Sequence, residues 1–189
     1  MKDDKTYLRS KFLLERKKKY SKVKNFNFNS IFKLIENEFK KKKIVIAAYY
    51  PSNYEVNILH FIKEASKKKY KILLPVIKSS TKMTFSRWIV EEPLYVSKFG
   101  IPEPKTSKKK NIPDLIIVPL VAFDKNLNRI GYGKGYYDRS LKKIKQSKKK
   151  ILSLGIAYSF QEHHRIPINK YDFKLDYIFT EQGIISSKQ

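Results

Sequence analysis

The 189-residue sequence contains no cysteine, which excludes disulfides, thiolate nucleophiles and cysteine-ligated metals. It also lacks any apolar run approaching the roughly 20 residues that a transmembrane helix requires. The N-terminal residues, MKDDK, are charged and differ from the apolar core of a secretory signal. These absences, together with 41% hydrophobic residues for a core, predict a cytoplasmic protein that folds as one domain over residues 1–189 and does not enter a membrane.

Arginine is scarce: only six of the 42 basic residues are arginine, although the formal net charge is +25. Proteins that read bases and phosphates favour the bidentate guanidinium group over lysine. The lysine runs lie at 17–19, 40–43, 67–69, 108–110 and 148–150, mostly where a helix or loop ends, and cations there complement the helix dipole. We therefore expect no specific nucleic-acid partner, and a lysine-rich nucleic-acid-binding protein is the alternative interpretation.

Glycine is scarce too, and three of the six glycines lie within five residues, at Gly131, Gly133 and Gly135. Glycine adopts positive φ easily and lets a ligand approach the backbone closely. Successive backbone N–H groups in such a loop can form an anion-binding concavity. A helix predicted to start near Tyr136 would direct its positive end to the same place, so the segment predicts a phosphate site.

The charged residues around these glycines favour that interpretation. Arg129 and Lys134 add positive charge, and Asp138 is positioned to hold Mg²⁺ that bridges phosphate oxygens. The segment matches neither the Walker A spacing nor the dinucleotide-binding fingerprint. The structural alternative is a glycine-rich turn in which Tyr136 and Tyr137 only pack, but the combination of charges favours phosphate binding.

Short apolar runs alternate with helical patterns along the chain, which is typical of a parallel sheet covered by helices. We predict strands at 44–50, 72–76, 83–89, 115–118, 151–157 and 175–179. We predict helices from residue 5, from an N-cap at Ser30, over 55–69 and over 136–145, with an irregular segment at 93–104. The expected fold is a three-layer α/β/α arrangement with a mostly parallel central sheet.

Several stretches resemble one known family in order and spacing. Residues 118–124 read VPLVAFD and residues 128–139 read NRIGYGKGYYDR. They are similar to the signature of the 5-formyltetrahydrofolate cyclo-ligase family, also called 5,10-methenyltetrahydrofolate synthetases, which is P-G-x-x-F-D followed by R-x-G-x-G-x-G-Y-Y-D. Residues 5–9 resemble its K-x-x-L-R helix, residues 50–56 its folate-contacting strand end, and residues 172–176 its late D-x-x-x-D. The resemblance covers nearly the whole chain.

The resemblance implies an ATP-dependent enzyme that converts 5-formyltetrahydrofolate, with or without a polyglutamate tail, to 5,10-methenyltetrahydrofolate with release of ADP and phosphate. It implies Mg²⁺ as cofactor, attack of the formyl oxygen on the γ-phosphate, and ring closure by the folate N10. We expect a monomer. A different phosphate-binding enzyme on a related α/β scaffold, such as a sugar-phosphate isomerase or an acyl-transfer enzyme, is the second alternative.

The resemblance also implies roles for individual residues. Arg129 and Lys134 would steady the transferring phosphoryl group. Asp138 and Asp176 would coordinate Mg²⁺, with Asp172 at the first acidic place of the late motif. The residues implied to bind ATP are Lys5, Arg9, Arg129, Ile130, Gly131, Tyr132, Gly133, Lys134, Gly135, Tyr136 and Tyr137. The residues implied to bind the folate are Tyr50, Glu55, Tyr132, Gly133, Lys134, Gly135 and Tyr136. We expect Arg129→Ala and Asp138→Asn each to lower turnover far more than the melting temperature.

The sequence departs from the family pattern at a few positions. Leu120 stands where glycine is usual, Ile58 where threonine is common, and Phe99 near the place of a frequent tryptophan. Tyr132 stands where arginine is common, which removes one charge contact to phosphate or folate. None of these departures removes a glycine of the predicted phosphate loop or an acidic candidate for the metal site.

Overall fold

The computed structural model describes residues 4–23, 26–40, 43–98, 100–105, 111–147 and 150–187. Its helices are α1 Lys5–Lys19, α2 Asn29–Glu38, α3 Leu59–Lys67 and α4 Tyr136–Ser147. Its strands are β1 Val45–Ala47, β2 Lys71–Ile77, β3 Met83–Arg87, β4 Tyr95–Val96, β5 Pro102–Glu103, β6 Leu115–Pro119, β7 Ala122–Phe123, β8 Arg129–Ile130, β9 Leu152–Ile156, β10 Tyr177–Thr180 and β11 Gly183–Ser186. No helix within these ranges has the length and apolar character needed to cross a membrane.

A seven-stranded sheet with the order β11-β10-β9-β6-β1-β2-β3 forms the centre of the fold. The five inner strands are parallel to one another. The two edge strands, β11 and β3, run antiparallel to their neighbours. The alternation of apolar runs and helical patterns corresponds here to β1, α3 and β2, in which the two strands are parallel neighbours. The mostly parallel central sheet predicted from the apolar runs is therefore confirmed.

Helices cover both faces of the sheet, as the sequence predicted. Successive strand residues point to opposite faces, so Ile46 packs in the core formed with α2 and α3. The next residue, Ala47, belongs to a second core that includes Leu141 of α4. Strands buried on both faces must be apolar at nearly every position, which is why these runs lack a polar alternation. The three-layer α/β/α arrangement is confirmed.

The first helix packs outside this sandwich, against the two-stranded ribbon of β7 and β8. The Asp4 side chain accepts a hydrogen bond from the Thr6 N–H at 3.3 Å and caps the start of α1. Leu8 and Phe12, one helical turn apart, pack with Ile130 of β8 in a third apolar cluster. This packing brings the first turns of α1 beside the glycine segment that follows β8.

The third helix begins at Leu59, later than the predicted start at 55. Asn53 and Tyr54 have positive φ values of 47° and 61°, so the chain turns before the helix instead of continuing it. The Asn57 side chain accepts a hydrogen bond from the Leu59 N–H at 3.0 Å and so satisfies the first N–H group of the helix. Glu55 therefore lies in an irregular segment, where its carboxylate can reach groups outside the helix.

Other boundaries also differ from the predictions. The prediction of Ser30 as the N-cap is wrong, because α2 begins at Asn29 and the Asn27 side chain accepts that residue's N–H at 3.0 Å. The predicted strand at 44–50 shortens to β1. The segment predicted as irregular contains the small β4–β5 ribbon, and the edge strand β11 was not predicted. Phe99, the position considered for aromatic stacking, lies outside the described residues.

Candidate functional site

A cavity of about 740 Å³ opens at the carboxyl ends of the inner parallel strands. Tyr49 and Tyr50 follow β1 and line it, Pro119 ends β6, and the glycine segment follows the β7–β8 ribbon. Ligands of parallel α/β sheets bind at this edge, since the chain leaves each strand there as a loop. Every residue implied to bind ATP or folate lines the cavity, whereas only one of the two implied metal ligands does.

The glycine segment adopts a conformation that requires glycine at two positions. Gly133 has φ +92° and Gly135 has φ +64°, in the left-handed region that side chains rarely occupy. Helix α4 starts at Tyr136, immediately after the segment. Among the described residues, no partner accepts a hydrogen bond from the backbone N–H groups of residues 131–138. These N–H groups and the positive end of α4 form a cradle that suits a phosphate.

Gly131 differs from the other two glycines, and this difference gives a test. Its φ is ordinary, and an added Cβ would meet no atom within 4 Å, whereas a Cβ at Gly133 would lie 3.3 Å from Cζ of Arg9. We expect Gly133→Ala to lower stability by about 1–3 kcal/mol because of backbone strain. We expect Gly131→Ala to keep the melting temperature but to raise KM for the ATP that the sequence predicts as co-substrate, because its methyl group would enter the open space beside the cradle. Thermal unfolding and steady-state kinetics check both outcomes, and equal effects in the two variants would contradict this interpretation.

Two cations from α1 line the cavity, and one of them contacts the glycine segment. Arg9 donates a hydrogen bond from Nε to the Gly131 carbonyl at 2.8 Å. Its terminal nitrogens have no partner within the described ranges, so they can bind an anion in the cradle. Lys5 forms an ion pair with Asp172 at the cavity wall. Lys134 contributes an exposed side chain to the cavity lining.

The Arg129 side chain is buried and contacts protein groups, whereas the sequence assigned it to the transferring phosphoryl group. Its side chain is only 5% exposed; Nη2 donates to Asp138 at 2.6 Å and Nη1 donates to the Phe173 carbonyl. Burial lowers the pKa of Arg129, and the adjacent Asp138 carboxylate opposes that change. The guanidinium thus holds Asp138 and the segment at Phe173 in place at the base of the cavity.

The acidic candidates for the metal site are only partly brought together. The Asp138 Oδ1 accepts hydrogen bonds from Arg129 and, at 3.1 Å, from the Phe173 N–H, while Oδ2 has no partner among the described residues. Asp172 lines the same cavity, where its Oδ2 accepts from Lys5 and, at 2.7 Å, from the Asn169 N–H. Asp176 does not line the cavity, and its Oδ2 accepts from the N–H and Oγ of Ser153 at 2.8 and 2.7 Å. The structure therefore does not pair Asp138 with Asp176 and offers Asp172 instead.

The carboxylates of the cavity fit Mg²⁺ only in combination with a ligand. The described ranges hold no cluster of three or more metal-binding side chains. Mg²⁺ in nucleotide sites is commonly held by one or two carboxylates, with phosphate oxygens and waters completing the octahedron. Oδ2 of Asp138 and the nearby Asp172 match that donor set.

Glu55 is held beside the glycine segment by three donors. The Ser52 N–H and Oγ donate to its Oε2 at 2.9 and 3.3 Å, and the Tyr132 hydroxyl donates to its Oε1 at 2.9 Å. Burial raises the pKa of the Glu55 carboxyl above its ordinary value, and these hydrogen bonds oppose the rise. Glu55 is thus an oriented acceptor at the cavity wall, as expected for a group that receives N–H donors from a ligand.

Arg16 lies behind this pair and was missed as a site residue. It is 1% exposed, and its Nη2 donates to the Tyr132 hydroxyl while Nη1 donates to the Leu120 carbonyl at 3.2 Å. A signal was present in the sequence, because Arg16 falls on the same helical stripe as the buried Leu8 and Phe12, at a spacing of four residues. The Tyr132 hydroxyl is therefore contacted by a buried cation from α1.

The remaining cavity wall is aromatic and apolar. Tyr50 packs edge-on against Trp88 with ring centroids 6.3 Å apart, and the Tyr136 hydroxyl donates to the Ser79 carbonyl at 3.3 Å. Met83 and Ile101 also contribute to the lining, together with Pro75, Ile77 and Pro102. Sequence reasoning did not identify these residues, since they come from strands and a loop whose approach depends on the fold. The wall suits a flat heterocyclic ligand.

The sequence profile of the 5-formyltetrahydrofolate cyclo-ligase family matches residues 1–181. The chain is 33% identical over 136 residues to a 5-formyltetrahydrofolate cyclo-ligase of Haemophilus influenzae, covering 69% of this chain and 72% of that protein. It is 33% identical over 162 residues to a probable 5-formyltetrahydrofolate cyclo-ligase of Schizosaccharomyces pombe, covering 78% and 79%.

Solved structures with the same fold carry a related name. A 5,10-methenyltetrahydrofolate synthetase of Aquifex aeolicus superposes with a TM-score of 0.74 at 30% identity, covering 98% of this chain and 93% of that one. A 5,10-methenyltetrahydrofolate synthetase of Mycoplasma pneumoniae superposes with a TM-score of 0.68 at 28% identity, covering 94% and 99%. The likeness extends over the whole sheet and its covering helices.

Proposed function

The chain belongs to the 5-formyltetrahydrofolate cyclo-ligase family, and on this premise we propose that it closes the ring of 5-formyltetrahydrofolate at the expense of ATP, yielding 5,10-methenyltetrahydrofolate, ADP and phosphate. The observation that carries the proposal is a single cavity with two kinds of lining. One part offers free backbone N–H groups and cations, and another offers an oriented carboxylate among aromatic and apolar groups.

The charge of the lining supports a polyphosphate co-substrate. The lining contains six basic side chains, Lys5, Arg9, Arg129, Lys134, Arg139 and Lys142, and three acidic ones, Glu55, Asp138 and Asp172. This excess of cations surrounds the cradle of N–H groups at the start of α4. A triphosphate would be attracted to it, and its γ-phosphate would be held between the cradle and the α1 cations.

The residues present fit Mg²⁺ as the cofactor. We assign Asp138 as one ligand through its free Oδ2 and replace Asp176 by Asp172 as the second acidic candidate. When bound, the cation neutralises charge on the phosphate oxygens. Arg129 fixes the orientation of the Asp138 carboxylate through the contact at 2.6 Å and so acts as a positioning residue.

The folate would be recognised at the second kind of lining. The Glu55 carboxylate accepts the N–H donors of the pterin ring, in the position that Ser52 and Tyr132 hold it. Tyr50 and Met83 contribute aromatic and apolar surface against which the pterin packs. Lys142 and Tyr171 line the same cavity, so a glutamate tail has a cation within reach.

The reaction needs no covalent enzyme nucleophile. The formyl oxygen attacks the γ-phosphorus and ADP leaves; N10 of the folate then attacks the activated carbon, loses its proton, and the oxygen departs with phosphate. The chain contributes by aligning the two substrates, since correct alignment alone supplies a large part of such an acceleration. Lys134, Arg9 and the loop N–H groups stabilise the charge on the transferring phosphoryl group.

One assay tests the proposal against both alternatives. Protein, ATP, Mg²⁺ and 5-formyltetrahydrofolate are mixed, and the absorbance of the methenyl product is followed. We expect product only when both ATP and Mg²⁺ are present. A nucleic-acid-binding protein would give no turnover and steeply salt-dependent DNA or RNA binding. A different phosphate-binding enzyme would bind phosphate without using ATP. That the protein is a cytoplasmic monomer remains a prediction from the sequence.

A further inference from the structure

We infer that Arg16 and Tyr132 are positioning residues that keep the Glu55 carboxylate ionised and oriented for substrate recognition. The inference rests on the proposed function, because it assigns Glu55 to the folate. It extends that function to Arg16 on α1 and Tyr132 in the glycine segment. Together with Glu55, these side chains form a hydrogen-bonded chain that ends at the cavity.

The chain of contacts is continuous from the interior to the cavity wall. Arg16 donates from Nη2 to the Tyr132 hydroxyl, and that hydroxyl donates at 2.9 Å to Oε1 of Glu55. The Arg16 guanidinium also lies over the Tyr132 ring, with Cζ 5.5 Å from the ring centroid. A hydroxyl that accepts from a cation is a stronger donor to a carboxylate, so the arginine strengthens the contact to Glu55.

Arg16 is an unusual residue to bury. It is 1% exposed, makes no ion pair within 4.0 Å among the described residues, and its Nε has no hydrogen-bond partner there. A buried cation without a direct counter-ion costs stability, so pure packing does not explain it. Through the Tyr132 hydroxyl, Glu55 is the carboxylate that its charge reaches.

The groups around Glu55 explain why the positive charge of Arg16 matters for the ionisation of the Glu55 carboxyl. The titratable groups that interact electrostatically with its carboxyl include Tyr49, Tyr132, Tyr137, Tyr158 and Arg16. Burial raises the pKa of each of the four tyrosines, so they stay neutral at physiological pH. Arg16 is the cation among them, and its positive charge opposes the rise that burial causes in the pKa of the Glu55 carboxyl.

Tyr132→Phe tests the inference because it removes one hydroxyl and keeps the ring and the backbone N–H. We expect KM for 5-formyltetrahydrofolate to rise about tenfold, since a charge-assisted contact that orients Glu55 is lost. We expect KM for ATP to stay at the wild-type value, because the hydroxyl faces Glu55. The acid limb of kcat/KM for the folate should also move to higher pH, because the carboxyl becomes easier to protonate.

A matched control and a charge variant separate positioning from stability. Tyr177→Phe removes another tyrosine hydroxyl that donates to a carboxylate, that of Glu38 at 2.7 Å, far from the cavity lining. It should leave both KM values and the acid limb in place. Arg16→Lys keeps the charge and should retain a lower KM for the folate than Arg16→Gln. An enzyme-free blank at each pH corrects for uncatalysed cyclisation.

The outcomes distinguish this inference from the proposed function. If the wild-type protein gives no methenyl product, the proposed function fails and the role of Glu55 fails with it. If the wild-type protein turns over but Tyr132→Phe keeps the wild-type KM for the folate, or its acid limb does not move, the positioning inference alone is overturned. Equal impairment of folded Arg16→Lys and Arg16→Gln would overturn the positioning inference as well.

Discussion

Asp138→Asn should lower kcat by about 100-fold and raise the Mg²⁺ concentration needed for half-maximal turnover. The reason is that Oδ2 of Asp138 has no partner in the described part of the chain and lies at the cavity, whereas the amide of asparagine offers Mg²⁺ no negative charge. The free energy of unfolding should fall by less than the activation free energy of turnover rises, because the asparagine Oδ1 can still accept from Arg129 and the Phe173 N–H. Turnover measured across a Mg²⁺ titration, with a parallel melting curve, checks both parts.

Asp176→Asn is the matched control for this prediction. Its carboxylate accepts from Ser153 and lies outside the cavity lining, so the substitution should lower the melting temperature without changing the Mg²⁺ requirement. Asp172→Asn should raise the requirement, because Asp172 lines the cavity. A raised requirement in Asp176→Asn together with a wild-type requirement in Asp172→Asn would return the metal site to the pairing predicted from the sequence.

Arg129→Ala should abolish measurable turnover and also destabilise the protein by about 3–5 kcal/mol. The sequence alone assigned Arg129 to the phosphate and predicted that its loss would lower turnover far more than the melting temperature, whereas the structure leads us to expect a large loss of both. The side chain is 5% exposed and holds both Asp138 and the Phe173 carbonyl, so its loss breaks a buried network. Chemical denaturation and turnover of the remaining folded protein give the two quantities.

Arg9→Ala is the contrasting variant for that prediction. Arg9 makes one hydrogen bond to the Gly131 carbonyl and is partly exposed, so its removal should raise KM for ATP while stability changes little. If Arg129→Ala unfolds no more easily than Arg9→Ala, the positioning role of Arg129 is wrong. In that case both arginines bind phosphate directly, as the sequence first indicated.

The elements of the fold that could be predicted are those whose hydrophobic pattern lies within one short stretch of sequence. The strands buried on both faces, such as β2 and β6, read as short apolar runs, and their length and β-branched content separate them from helices. The start of α3 was not predictable in this way, because residues 55–58 continue an apolar pattern while the positive φ values at Asn53 and Tyr54 turn the chain. The two-residue strands β4 and β5 are too short to show a hydrophobic pattern in the sequence, and they form through their pairing with each other.

The same distinction applies to the site. The glycine segment was readable because neighbouring backbone N–H groups and a helix start need only one stretch of chain. The sequence did not show whether Asp172 or Asp176 lines the cavity, since the two residues lie only four positions apart in the segment that leads into β10. The Asp176 carboxylate is held by Ser153, which lies on the adjacent strand β9, whereas Asp172 contacts Lys5.

By itself, the sequence determined the α/β class, the mostly parallel sheet and the place of the glycine segment before α4, because burial periodicity and glycine conformation act over a few residues. Only the tertiary structure decided which charges meet. It turned Arg129 inward onto Asp138, brought Arg16 from α1 behind Tyr132, and set Glu55 at the end of that chain. Such contacts join residues up to 116 positions apart, and no local pattern records the packing that closes them.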